Sequence, residues 1–240
     1  MKKIYIFWLW LAYLYTPDVW AQKDSLVLNT EFGLYNRYIW RGINFGDAPS
    51  LQGLCTVSYK NFEIGMYGAN SLSGTALGYA NTIEVFATYN YKKWSLTIDD
   101  YFFYEAFDSL NRYFDYSRNT LHFYESRLKY THDKFYLLAG YCFFSRASDD
   151  TNGVYVEGGY NFNKQIKLVV GGIIGKSYLN FHDRGGVTNV GLYFKKPIKI
   201  TDSFALNTQF AIIANPNIDF VARIQGVSRN PLHFLMSLTF

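Results

Sequence analysis

The sequence predicts an all-β protein, a closed antiparallel transmembrane β-barrel of about twelve strands. Three observations carry that expectation. Stretches of about ten residues alternate apolar and polar positions. The connections between them alternate tight turns with longer loops. After the N-terminal segment, no apolar run approaches the roughly 20 residues that a spanning helix needs.

The alternation is clearest toward the C-terminus. Leu232, Phe234, Met236, Leu238 and Phe240 share one face, and His233, Leu235, Ser237 and Thr239 the other. Ile83, Val85, Ala87, Tyr89 and Tyr91 alternate with Glu84, Phe86, Thr88 and Asn90. Leu26, Leu28, Phe32 and Leu34 are set against Asn29, Glu31 and Gly33. Strands are expected at about 26–40, 51–59, 62–71, 81–91, 94–105, 119–130, 135–145, 153–162, 165–175, 187–195, 203–214 and 230–240. Most match the 9 to 11 residues of a tilted spanning strand.

Tight polar turns fall at Lys60-Asn61, Lys92-Lys93, His132-Asp133-Lys134, Asn163-Lys164 and 196–202. Longer loops rich in Gly, Ser, Asn and Asp fall between them, at 41–50, 71–80, 106–118, 146–152, 176–186 and 215–230. A soluble sandwich has no reason to keep short and long connections in strict alternation. A barrel inserted from one side of a membrane does. Closure follows from the solvent, because an open sheet edge in lipid leaves N–H and C=O groups unpaired at several kcal/mol each.

Composition agrees. Aromatics make up 20% of the chain, with 22 Tyr and 21 Phe. Mean hydropathy is nevertheless near zero. A barrel reconciles the two, because lipid-facing and lumen-facing residues cancel in the average.

At the N-terminus, Met1-Lys2-Lys3 is a positive n-region, 4–15 an apolar h-region, and Val19-Trp20-Ala21 a cleavage site of small residues at −3 and −1. The expected division is a signal peptide over 1–21 and the barrel over 22–240. Without Lys2, Lys3 and Asp18, the 23 basic and 19 acidic residues become 21 and 18, a charge of +3. The basic residues are scattered, so no nucleic-acid partner is expected. Cys55 and Cys142 fall on opposite sides of the expected wall and are read as free thiols. Two cysteines also fall short of the four ligands of a structural zinc site, and no cofactor, metal or catalytic set is expected.

Two features point to a family. The chain ends in an alternating strand closed by Phe240, the form read as an assembly signal in bacterial outer-membrane proteins. Asn36-Arg37-Tyr38-Ile39-Trp40-Arg41-Gly42, followed by Asp47, Pro49 and Gln52, resembles the opening of porins of the TorF type, the Gcw_chp family. The motif residues are Tyr38, Trp40, Arg41, Gly42, Pro49 and Gln52. The likeness covers about 26–70 and implies an outer-membrane barrel with a pore and no catalytic residues. The residues themselves allow two readings. In one, Tyr38 and Trp40 share the face of Leu34 and belong to the aromatic girdle, Arg41 opens a loop toward lipopolysaccharide phosphates or water, and Gly42 lets the chain turn. In the other, they line the pore mouth.

The expected lumen face carries Glu31, Glu63, Glu84, Asp99, Glu125 and Glu157 with Arg37, Arg127, Lys129, Lys167 and Lys195. Unpaired burial of these charges is costly, so they pair across the lumen or meet water. Eight strands are filled by side chains and 16 to 18 leave a channel; twelve admits either. The function expected is a narrow, weakly selective outer-membrane channel for passive diffusion of small hydrophilic solutes. Its expected partners are those solutes, outer-membrane lipids with lipopolysaccharide, and the barrel-assembly machinery.

Two other classes stand beside it. One is a plugged structural or adhesive barrel whose loops, with Phe107, Tyr113, Phe114, Tyr116, Tyr178 and Phe181, bind partners. The other is a lipid-modifying enzyme. Of the four histidines, His132 falls in a turn, His182 in a loop and His233 on the lumen face. Only His122 is placed on the outer wall, with no evident Ser or carboxylate partner. Gly158-Gly159 and Gly171-Gly172 lie within strands and read as kinks of the wall.

Overall fold

The computed structural model describes residues 25–46, 48–72, 81–104, 112–116, 122–144, 153–177, 179–180, 184–202, 204–217 and 230–240. The signal-peptide reading of 1–21, Asp47, and the loop residues Phe107, Tyr178, Phe181 and His182 lie outside the described residues.

Twelve antiparallel strands form one closed barrel. They are β1 (Val27–Tyr35), β4 (Ser50–Tyr59), β5 (Phe62–Ser71), β6 (Asn81–Tyr91), β7 (Trp94–Tyr104), β8 (His122–Thr131), β9 (Phe135–Phe144), β10 (Val154–Asn161), β11 (Ile166–Ile174), β12 (Gly186–Lys199), β13 (Ala205–Ala214) and β14 (Leu232–Thr239). Two further short strands, β2 (Tyr38–Trp40) and β3 (Ile43–Gly46), pair only with each other. Among the described residues there is no helix.

Each barrel strand after β1 pairs with its sequence neighbours, and β1 pairs with β4 and β14. The closing seam aligns Gly33 with Thr239 and Tyr35 with Ser237. Phe240 extends it by exchanging both backbone hydrogen bonds with Phe32, at 2.9 and 3.0 Å.

Side chains alternate across the wall. On β4, Ser50, Gln52 and Thr56 are buried inward while Leu51, Val57 and Tyr59 are exposed outward. On β14, His233, Leu235 and Ser237 are buried and Leu232, Phe234 and Met236 exposed. The outer face is thus a band of exposed Leu, Ile, Val and aromatic residues. Cys55 is exposed and Cys142 buried, both as free thiols.

The tight turns at one end, called here the turn end, hold Lys60 and Lys92 in left-handed conformation, at φ 53° and 54°. The longer connections lie at the opposite, loop end.

One expected strand is wrong in extent. The segment expected to run straight over 26–40 leaves the wall after Tyr35. At that point the Asn36 backbone N–H still donates to the Met236 carbonyl at 3.0 Å, and the Asn36 side chain carries the pairing with β14 further. Its Oδ1 accepts from the Met236 N–H at 2.9 Å, and its Nδ2 donates to the Phe234 carbonyl at 3.1 Å. The backbone is thereby released to fold inward as the β2–β3 hairpin. The Gly171-Gly172 step is a register shift against β12, the irregularity expected there.

Candidate functional site: the filled lumen

The β2–β3 hairpin lies inside the barrel. Its two-residue turn is Arg41-Gly42, with Trp40 opposite Ile43. Both central residues have positive φ, 51° and 79°, the type I′ pattern whose twist matches a β-ribbon. Gly42 is required for a second reason: a Cβ there would collide with the Thr188 carbonyl.

Apolar packing holds the hairpin in place. Tyr38, Ile43 and Phe45 are buried against Ala69, Tyr101, Phe103, Phe123, Cys142 and Leu179. Tyr38 stacks on Phe45 with centroids 5.3 Å apart, and Trp40 meets Tyr101 edge-on at 5.6 Å. Each large apolar side chain buried this way contributes about 1.5–3 kcal/mol. The loop-end half of the lumen is therefore a hydrophobic core. This corrects the girdle reading of Tyr38 and Trp40 and the solvent- or lipopolysaccharide-facing reading of Arg41. Their parity on a straight strand suggested the outer wall, but the bend at Asn36-Arg37 carries them inside.

Arg41 sits at the tip between two aromatic faces, 4.3 Å from the Trp40 ring and 4.2 Å from the Tyr155 ring. Its Nη1 donates to Glu125 Oε1 at 2.9 Å and to Asn180 Oδ1 at 2.7 Å, and its Nη2 donates to Glu125 Oε2 at 2.5 Å. The Glu125 side chain is fully buried and that of Arg41 is 7% exposed. This two-pronged pair is the strong form of a charge-assisted hydrogen bond.

A second group lies nearer the turn end. Arg127 Nε donates to Asp99 Oδ2 at 2.7 Å, and Nη2 donates to Asp99 Oδ1 and, at 3.1 Å, to Glu84 Oε1. A third centres on Glu157, which accepts from the hydroxyls of Tyr136 at 2.7 Å and Tyr155 at 2.5 Å and from Asn189 Nδ2 at 3.1 Å.

Three lysines complete the inner face. Lys129 lies 5.0 Å from the Tyr136 ring, and Lys167 lies 5.8 Å from Tyr136 and 5.1 Å from Tyr193. Lys195 and Lys129 are within electrostatic reach of Lys167.

The remaining predicted residues are more dispersed. Glu31 is exposed on β1, and Glu63 accepts from the Ser58 hydroxyl at 2.9 Å. Arg37 is in the bend before β2. Pro49 is exposed where the chain rejoins the wall, and its carbonyl accepts from Leu72 N–H at 2.8 Å. Gln52 faces inward, donating to Ser50 Oγ at 2.9 Å and accepting from the Tyr67 hydroxyl at 2.8 Å.

Below the hairpin remains a cavity of about 340 Å³, with Trp40 and Arg41 among its lining and Tyr136, Lys167, Asn189 and Tyr193 along its side. Inward glycines make room for it. A Cβ at Gly159 would strike the Tyr136 ring, one at Gly171 the Tyr155 hydroxyl, and one at Gly191 the Tyr193 ring. Tyr136 and Tyr155 thus lie over the neighbouring strand, and Tyr193 over its own, instead of crossing the lumen. Sequence reading missed Tyr136, Tyr155, Asn189 and Tyr193. The available signal was Gly and Tyr recurring at inward positions of adjacent strands, visible only once the register is known. A larger hollow of about 790 Å³, lined by Leu137, Val156 and Val170, is a dent in the apolar outer face and not part of the lumen.

On the outer wall, His122 has the carboxylate partner that the sequence did not reveal. Its Nδ1 is 2.6 Å from Asp100 Oδ1 and its Nε2 is 2.7 Å from the Tyr113 carbonyl. Both ring nitrogens are engaged, so neither is left to take a proton from a nucleophile. Tyr116 stacks over the ring at 4.5 Å and Phe102 lies at 4.8 Å. Among the described residues, no three His, Cys, Asp or Glu side chains gather as a metal site.

No protein-family model matches the chain, and no curated protein matches it either. Solved structures of similar shape include mutants of the Rhodopseudomonas blastica porin. A five-substitution mutant is 12% identical with a TM-score of 0.39, over 90% of this chain and 99% of that one. A triple mutant is 11% identical with a TM-score of 0.37, over the same shares. Likeness at this level adds nothing to the barrel architecture already described.

Proposed function

We propose that the chain is a bacterial outer-membrane barrel forming a narrow channel for passive diffusion of small hydrophilic solutes, with the β2–β3 hairpin as its constriction. The observation that carries this reading is the cavity of about 340 Å³ under the hairpin, lined by charged and polar groups. A lumen that served stability alone would be packed with apolar side chains along its whole length, as its loop-end half is. The exposed apolar band suits lipid and lipopolysaccharide, and the Phe240 strand suits recognition by the barrel-assembly machinery. The resemblance of the Tyr38–Gly42 motif to TorF-type porins belongs with the same reading. Acidic and basic inner side chains are nearly equal in number, which favours weak discrimination between bare cations and anions.

The second reading is a plugged structural or adhesive barrel, and the hydrophobic core around Tyr38, Ile43 and Phe45 favours it. Planar-bilayer recording separates the two. The barrel as it stands should give small or intermittent conductance, and a variant with 38–46 replaced by a short Gly-Ser linker should give large, steady steps. A parent barrel that stays silent while the replaced variant conducts would establish the plugged barrel.

A further inference from the structure

The hollow of about 790 Å³ on the outer wall is an oblique groove. Its floor follows one row of directly paired residues, Leu128, Ala139, Val156, Gly172 and Val187, from β8 to β12. Four steps between neighbouring strands make it about 19 Å long. Leu128 lies toward the turn end of its strand and Val187 at the loop end of its own, so the groove climbs the wall. With strands tilted by about 35–45°, it rises about 11–13 Å. That stays within the roughly 15 Å that one leaflet gives to a hydrocarbon core about 30 Å thick.

Two features deepen the groove. The register shift at Gly171/Gly172 bends β11, and Gly158 leaves its outward position without a side chain. The fold does not demand glycine at 158. A Cβ there would meet Leu137 Cδ2 at 3.5 Å, an ordinary contact. Glycine inside a strand weakens it, so a wall serving stability alone would carry a side chain at this point.

The turn-end mouth has its own chemistry. Trp94 and Tyr130 stand there with ring centroids 4.9 Å apart, the amphipathic pair suited to the level of lipid headgroups. Lys93 and Lys134 flank them. The Lys93 carbonyl accepts from the Thr131 N–H at 2.8 Å, beside the end of β8, and the Lys134 carbonyl accepts from the Asn161 N–H at 2.7 Å, at the end of β10. Both lysines are exposed, and among the described residues neither enters an ion pair. The two turns set Lys92, Lys93 and Lys134 against Asp133, a surplus of two positive charges.

We propose that the groove binds one anionic phospholipid of the leaflet at the turn end, the periplasmic side of an outer-membrane barrel. One acyl chain lies along the groove, and the phosphate sits between Lys93 and Lys134. The apolar length, the aromatic pair and the positive charge follow one another in the order that chain, ester region and headgroup require. A second copy of the chain suits the face less well. A two-fold dimer would set groove against groove and lysines against lysines. The site rests on the membrane half of the function proposed above and not on conduction.

The test is native mass spectrometry of the refolded full barrel in detergent, with equal amounts of phosphatidylglycerol and phosphatidylcholine carrying the same chains. One lipid should be retained per barrel. At about a factor of five for each lysine near an anionic headgroup, phosphatidylglycerol should be favoured at least tenfold. Gly158→Leu fills the groove and should lose both lipids. Lys93→Gln with Lys134→Gln should keep one lipid and lose the preference. Each variant is verified as folded by heat-dependent gel mobility, and the lysine pair gives a reading of its own if Gly158→Leu does not fold. Retention unchanged in folded Gly158→Leu overturns the site, as do several lipids per barrel without headgroup preference. A dimer that Gly158→Leu abolishes gives the face to a second copy and overturns the lipid. A barrel that cannot fold into phosphatidylcholine vesicles loses the membrane reading and the site with it. One that folds into them and retains no preferred lipid loses the site alone.

Discussion

Arg41, on the inward hairpin, grips Glu125, on the wall strand β8, through two parallel hydrogen bonds of 2.9 and 2.5 Å. The pair joins the element that fills the lumen to the wall that surrounds it. Both charges have left water, so their attraction is offset by desolvation, and the pair is held by geometry more than by net energy. Removing one partner leaves a buried charge uncompensated, which typically costs 3–5 kcal/mol.

Arg41→Ala should therefore loosen the hairpin, raising the open probability in bilayer recordings and lowering the temperature at which the barrel unfolds. Arg41→Met combined with Glu125→Met should return conductance toward the parent level, because two apolar side chains of similar volume leave no stranded charge. A double mutant as open as the single one would show that the hairpin is not held at this point.

Gly42→Ala tests the turn. The new Cβ meets the Thr188 carbonyl, and the left-handed conformation costs roughly 1–2 kcal/mol for a residue with a side chain. Conductance should rise as in Arg41→Ala, with strand content by circular dichroism unchanged. A parent-like channel would mean that the tip can move off β12 at no cost.

The wall and the charged side chains on its inner face were legible in the sequence, and the hairpin that fills the barrel was not. Alternation and turn residues such as Lys60-Asn61 and Lys92-Lys93 report on local backbone, and a barrel wall is built from local repeats. The inward hairpin has the same period as a strand that continues outward, so Tyr38 and Trp40 read as extensions of β1. The cue that was present is Arg41-Gly42 between Tyr38-Ile39-Trp40 and Ile43-Asn44-Phe45, a two-residue turn flanked by alternating apolar residues. The Glu157 cluster is different in kind. It joins Tyr136, Tyr155 and Asn189 from three strands, and no local pattern announces a contact that depends on register.

Asn36→Ala tests the place where the wall and the hairpin part. The substitution leaves the Met236 N–H and the Phe234 carbonyl without the side-chain partner that continues the seam. Each group so stranded costs about 1–3 kcal/mol where lipid covers it, and less where lipid-headgroup water reaches it. The barrel should still insert but unfold at lower urea concentration, followed by the gel shift between folded and unfolded forms. An unchanged midpoint would show that Asn36 is dispensable to closure.

Adjacent substitutions on β6 test the orientation of the wall itself. Ala87 is exposed on the outer face, while Thr88 points inward and shares a 2.9 Å hydrogen bond with Thr97 across the β6–β7 ladder. Ala87→Lys places a charge against lipid, at about 2–4 kcal/mol near the bilayer midplane and less toward the interfaces. Thr88→Lys places the same charge in a lumen that already holds lysines, and forfeits one neutral hydrogen bond worth roughly 0.5–1.5 kcal/mol. Folding into lipid vesicles, read by heat-dependent gel mobility, should therefore fall sharply for Ala87→Lys and little for Thr88→Lys. The reverse order would mean that the faces are exchanged, because a one-residue slip moves every side chain of a strand to the other side. Equal, mild effects would mean that neither face of β6 meets hydrocarbon, and the transmembrane reading would be lost with them.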